Sequence, residues 1–90
     1  MKFAWDQAKN QANRAKHGIA LERAAEMFEA PTDERVDRRK NYGETRMICF
    51  GVIEDRVYCC VYTDRGDTRR IISLRKANAD ETETYLNRVE

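Results

Sequence analysis

Proline is nearly missing from this 90-residue chain: Pro31 is the only one, and just four glycines accompany it. A chain with so few obligatory breaks consists mostly of helices and strands joined by short turns. It shows no repeats, linkers or low-complexity tracts. Histidine occurs once, as His17, and the three cysteines form no Cys-x-x-Cys pair, so the usual donor sets for zinc are lacking. No metal and no cofactor are expected. An odd cysteine count makes a poor disulfide framework. Cys49, Cys59 and Cys60 lie inside apolar runs, which implies buried, reduced thiols, with adjacent Cys59 and Cys60 on opposite faces of a strand. No run approaches the roughly 20 apolar residues of a membrane span, and "MKFAWDQAKN" is not a signal peptide. The expectation is a cytoplasmic protein.

Charge, by contrast, is abundant. At 37% charged and 41% apolar residues, the chain has the material for one domain, residues 1–90, around a modest core. Net charge is only +1, but its distribution is uneven. From Arg56 to Lys76 six basic residues face two acids, a local balance of +4. From Glu22 to Glu34 one base faces five acids, a balance of −4. The expected molecule is a dipole that binds a polyanion on one face.

Asp6 is a good N-cap for a first helix, because its carboxylate accepts the orphan backbone N–H groups of the first turn. Gly18 supplies the left-handed residue that ends it after His17. Within it Ala8, Ala12 and Ala15 form a small-residue stripe suited to close packing, while Asn10, Asn13 and His17 form a polar face. That face is open to a ligand, to a partner or to plain solvent. Leu21, Ala24, Ala25 and Phe28, at i, i+3, i+4 and i+7, predict a short second amphipathic helix. Beyond Pro31 the period changes. "ERVDRRK" is a charged edge-strand candidate. "RMICFGVI", "RVYCCVYT" and "RRIISLRK" are stronger strands joined by turns at Glu54-Asp55 and "DRGD", and "ADETETYLNRVE" is a C-terminal helix with acids in its first turn. The order α-α-β-β-β-β-α predicts an α+β fold, an antiparallel sheet covered on one face by helices.

In the last strand, strict alternation puts Ile72 and Leu74 on one face and Arg69, Ile71, Ser73 and Arg75 on the other. Arginines on an open sheet face suit phosphate, because guanidinium is always charged and binds bidentately.

"FAWDQAKNQANRAKHGI", "YGETR" and "VYTDRGDTRRIISLRKA", followed by a C-terminal segment with acids and a tyrosine, occur in order over nearly the whole chain. Together they resemble the BrnT toxin family. Leu21 replaces a common aromatic and Leu74 a usual alanine, both apolar exchanges at packing positions. The resemblance implies a RelE-like ribonuclease fold and an endoribonuclease toxin of a type II toxin–antitoxin system that inhibits translation and growth. It also implies a BrnA-like partner, a small DNA-binding antitoxin that occludes the toxin and represses their shared operon.

RNA cleavage without a metal requires a base for the 2′-hydroxyl, an acid for the leaving oxygen and cations around the phosphorus. Arg75 and Arg65 are the first candidates for those cations. The alternative is a solvated ion-pair network with Asp64 and Asp67. Arg69 and Arg70 lie on opposite strand faces, and parity puts Arg69 beside Arg75 as an RNA contact. Arg46 is either a phosphate ligand or the salt-bridge partner of Glu44. Glu44 is the leading carboxylate base, with Lys16 able to replace it or to contact RNA. Histidine is the residue type suited to proton transfer near neutrality, which makes His17 a candidate acid or base, but at a helix end it is equally placed to lie against the dipole. Tyr62 and Tyr85 either stack a base or fill the core, and Trp5 belongs to the core. The competing function is a non-catalytic module that docks a nucleic-acid backbone or an acidic partner.

Overall fold

The computed structural model describes residues 1–89. Its elements follow in the order β1 (Lys2–Ala4), α1 (Gln7–His17), a 3₁₀ helix (Leu21–Glu29), β2 (Asp33–Val36), β3 (Met47–Ile53), β4 (Arg56–Arg65), β5 (Thr68–Lys76) and α2 (Ala79–Val89). The class is α+β, with five strands in one sheet in the order β1-β5-β4-β3-β2. The predicted element order is corrected at its start. A three-residue strand precedes α1 and pairs parallel with β5, Phe3 opposite Arg69, so the sheet is mixed rather than antiparallel. Three residues are too few to show a period, and their partner lies more than sixty residues away in sequence.

Helix α1 begins and ends where its caps dictate. Asp6 accepts the Lys9 N–H at 2.9 Å, and Gly18, at φ 72°, donates its N–H to the Arg14 carbonyl. Its orientation is the reverse of the predicted one. Ala8, Ala12 and Ala15 are exposed, whereas Asn10 and Asn13 are buried. Asn13 donates to the carbonyls of Ile19 and Leu74, both at 2.9 Å, and accepts the Leu74 N–H at 3.1 Å. Asn10 accepts the Leu21 N–H at 2.8 Å. The amides join α1 to β5 and to the chain beyond Gly18, so both bury without an unmet polar group.

The second predicted helix is 3₁₀, and its buried residues are Leu21, Ala24 and Met27. A spacing of three is what a helix with three residues per turn brings to one side. Gly51 lets this helix approach β3, since a Cβ there would lie 3.2 Å from Met27 Cβ and from Thr32 Cγ2.

Both faces of the sheet are covered, which corrects the expected one-sided arrangement. Leu21, Met27, Cys49, Cys60, Ile71 and Leu74, all under 2% exposed, form the core beneath α1 and the 3₁₀ helix. A smaller cluster of Phe50, Val57, Cys59, Ala77 and Tyr85 packs beneath α2 on the other face. Cys59 and Cys60 divide between the two as expected, and all three cysteines are free and buried. Burial pushes the Cys49 thiol up to about 12, so it behaves as a small apolar side chain. Among the described residues no helix is long and apolar enough to cross a membrane.

Strand β5 departs from strict alternation. Val61 pairs with Ser73 and Tyr62 with Ile71, leaving Ile72 as the extra residue of a β-bulge. The bulge places Ile71 and Leu74 in the same core. It also moves Arg69 and Arg75 to opposite faces of the sheet, against the predicted grouping.

Candidate nucleic-acid interface

Ladder partners share a face. The row Arg35, Ile48, Val61 and Ser73 therefore crosses the sheet on the α2 side, and the row Asp33, Phe50, Cys59 and Arg75 runs beside it. Between these rows, α2 and the chain following β2 lies a groove of about 200 Å³. Arg35, Arg39 and Arg75 line it, with the Ser73 hydroxyl and Glu81. Three guanidiniums line it against the Glu81 carboxylate, with the buried Asp37 carboxylate behind Arg39, so the concavity keeps a net positive charge. Arg75 meets Glu81 through two parallel bonds of 2.8 and 2.9 Å. Glu81 also accepts the Asn78 N–H, and Asn78 returns the bond to Glu81 N–H, a capping box at the start of α2. These donors, Arg75 foremost, hold the Glu81 carboxyl down at about 2. Arg35 lies over the Phe50 ring, 5.6 Å from its centre.

Arg39 is fixed from below. Its Nε and Nη2 bond Asp37 at 2.9 and 2.8 Å, and the Asp37 side chain is fully buried beneath them. Tyr42 donates to the same carboxylate at 3.1 Å, and the Arg46 guanidinium stacks 4.1 Å above the Tyr42 ring. Arg46 and Arg65 then both reach Glu44, at 3.2 and 3.1 Å. Asp37, Arg39, Tyr42, Arg46, Glu44 and Arg65 thus form one connected polar network that begins at the groove. Arg65 and Arg46 hold the Glu44 carboxyl below its usual range, and Arg39 does the same to Asp37 more strongly.

Of the sequence candidates, Arg75 lies in the groove, while Arg65, Glu44 and Arg46 belong to the network beside it. Arg75 pairs with Glu81 and Arg65 with Glu44, not with the Asp64 and Asp67 of the alternative ion-pair network. Arg69 is not with them. It lies on the α1 side, bonded twice to Asp64 at 2.9 and 3.0 Å, with its guanidinium 4.0 Å from the Tyr62 ring centre and 4.6 Å from that of Phe28. Arg70, paired with Thr63, takes the place on the α2 face that parity had given to Arg69. His17 and the exposed Lys16 end α1, on the face away from the groove.

The two tyrosines fill cores. Tyr62 is 3% exposed and its hydroxyl donates to Glu34, and Tyr85 is 4% exposed and donates to the Pro31 carbonyl at 2.7 Å. Neither ring is free to stack a base. Arg35, Arg39 and Glu81 escaped the sequence reading. Residues 35, 37 and 39 alternate as Arg, Asp, Arg in the expected edge strand, but β2 ends at Val36, so strand alternation does not place Asp37 and Arg39. The Asn-x-x-Glu capping signature at Asn78 was visible. What a sequence cannot show is that these two segments meet.

A fold that sets three arginines in one groove beside a further arginine–carboxylate network suits the handling of a phosphodiester backbone. No curated protein matches the chain. The family model for the ribonuclease toxin BrnT of type II toxin–antitoxin systems matches residues 5–81, and the chain belongs to that family of ribonuclease toxins.

Proposed function

We propose that RNA is cut without a metal on the α2 face of the sheet, by a RelE-like toxin acting in the cytoplasm. The observation that carries this reading is the convergence of Arg35, Arg39 and Arg75 on one groove. Arg75 is the cation aimed at the developing charge on phosphorus, and Arg35 and Arg39 hold the flanking backbone. Arg65 and Arg46, gathered by Glu44, extend the positive track. Asp37 and Glu81 act through the arginines they orient. The cut ends are a 2′,3′-cyclic phosphate or a 3′-phosphate, as attack by the 2′-hydroxyl requires. The partner is a BrnA-like DNA-binding antitoxin whose bound form closes the groove.

The second reading, a backbone-binding module without catalysis, draws on one feature: the carboxylates nearest the groove are held ionised and are weak bases. A paired experiment on Arg75→Ala separates the two. Cleavage of RNA in chelator is expected to fall about a hundredfold or more, the usual contribution of a preorganised charge at the transition state. Stability is expected to fall by about 1 kcal/mol, because the lost partner of Glu81 is a partly exposed ion pair. A near-parental cleavage rate overturns the assignment of Arg75. Intact RNA binding with no cleavage by the parent protein itself establishes the module.

A further inference from the structure

Helix α2 divides its face of the sheet into two grooves. The flank carrying Glu81 borders the arginines. The opposite flank, carrying Thr82, Glu83 and Leu86, walls a larger groove of about 950 Å³ whose other wall is the β3–β4 hairpin. Val52, half-buried, and Leu86, a large hydrophobic side chain left 44% exposed, supply apolar surface there, over a floor closed by the buried Val57 and Ala77. Glu54, Asp55 and Glu83 surround that apolar surface, against the single cation Arg56. Asp55, Glu83 and Arg56 have no ion-pair partner among the described residues, and Glu54 has only a 3.4 Å contact with Arg23. The Glu54 backbone is left-handed at φ 55°, a conformation that non-glycine residues seldom keep.

We propose that this groove anchors the protein antitoxin, which inserts an amphipathic segment with apolar side chains flanked by lysine or arginine. The inference rests on the toxin–antitoxin reading of the chain. Charge decides the occupant. An acidic rim repels an RNA backbone. A second copy would set one net-acidic rim against another in a two-fold contact. A basic, amphipathic protein segment satisfies both the rim and the apolar surface. From Ala79 to Asn87 the wall is eight helical steps, about 12 Å, which matches two turns of a partner helix seated through i, i+3 and i+4 side chains. The partner then has only to cross α2, about 10 Å wide, to cover the arginines. Anchoring and occlusion are thus assigned to separate grooves.

The test uses two variants of the full chain, Leu86→Lys and the double charge reversal Asp55→Lys/Glu83→Lys. All three side chains are exposed, so the fold is retained. Calorimetric affinity for the antitoxin encoded by the adjoining reading frame is measured at low and moderate salt, beside RNA cleavage by the free toxin. Each variant is expected to lose about tenfold or more in antitoxin affinity. The charge reversal should also flatten the salt dependence, and cleavage should stay at the parental rate. Unchanged antitoxin affinity in both variants overturns the proposal. So does a change confined to self-association, which gives the groove to a second copy, or to RNA affinity, which gives it to the substrate. Failure of the arginine site, seen as normal cleavage by Arg75→Ala, leaves this affinity measurement unaffected.

Discussion

Glu44 sits between Arg46 and Arg65, and their hydrogen bonds hold its carboxyl below the ordinary glutamate value. The folded state therefore keeps Glu44 ionised throughout the neutral range, where its affinity for a proton is low. Its position suits the gathering of cations better than the removal of a proton. Glu44→Gln is accordingly expected to slow cleavage by less than about tenfold, against about a hundredfold for Arg75→Ala. The pH–rate profile between pH 5 and 8 should keep its shape, since a carboxyl with a lowered value titrates below that window. A lost limb in the Glu44→Gln profile would restore Glu44 as the base. His17 ends α1 on the far side of the sheet, so His17→Ala should cut RNA at nearly the parental rate. Single-turnover assays across pH check both expectations.

At the scale of elements, α1 shows how far local rules reach. Asp6 and Gly18 fix its ends because capping involves only near neighbours. Its buried face was not legible, because Asn13 is buried only through backbone groups of Ile19 and Leu74, six and 61 residues away. The β5 bulge is similar: Ile72 is extra only with respect to its neighbour β4. Asn13→Ala would leave the Leu74 N–H and two carbonyls without their partner in a buried site. Orphaned groups of that kind cost about 2 kcal/mol, or roughly 10 °C in melting temperature for a domain of this size. Denaturant and thermal melts of Asn13→Ala measure it, and a loss below about half a kcal/mol would show that water replaces the amide.

For the whole molecule, charge governs both stability and binding. The Glu81 carboxyl lies at about 2 in the folded state, against an ordinary value of 4.5. A lowered folded value means that the unfolded chain takes up the proton first. The stabilisation is therefore complete above about pH 4.5 and is lost as pH falls toward 2. Melting temperature should fall over that window more steeply for the parent than for Glu81→Gln. Equal slopes would show that the Arg75–Glu81 pair contributes nothing. RNA affinity should also fall with salt. Three groove arginines releasing three counterions from a single strand give a slope of about −2 in log K against log salt. Removal of Arg35, Arg39 or Arg75 should each reduce it by about 0.7. A flat plot would remove the electrostatic account of the groove.

The sequence by itself determined the α+β class, the ends of α1, three long strands, the buried thiols and the family. Each of these depends on residue type or on short-range spacing: a cap, a period, an apolar run, a set of motifs in order. Tertiary structure decided which charges work together. The +4 segment from Arg56 to Lys76 does not form one surface, because the Ile72 bulge sends Arg69 to the α1 face and leaves Arg75 on the other. Arg35 and Arg39, from outside that segment, complete the groove because only β4 and β3 separate β2 from β5 in the sheet and the chain following β2 borders the same face. Strand order and register bring distant side chains within a few ångströms, and neither is written in any local window of the chain.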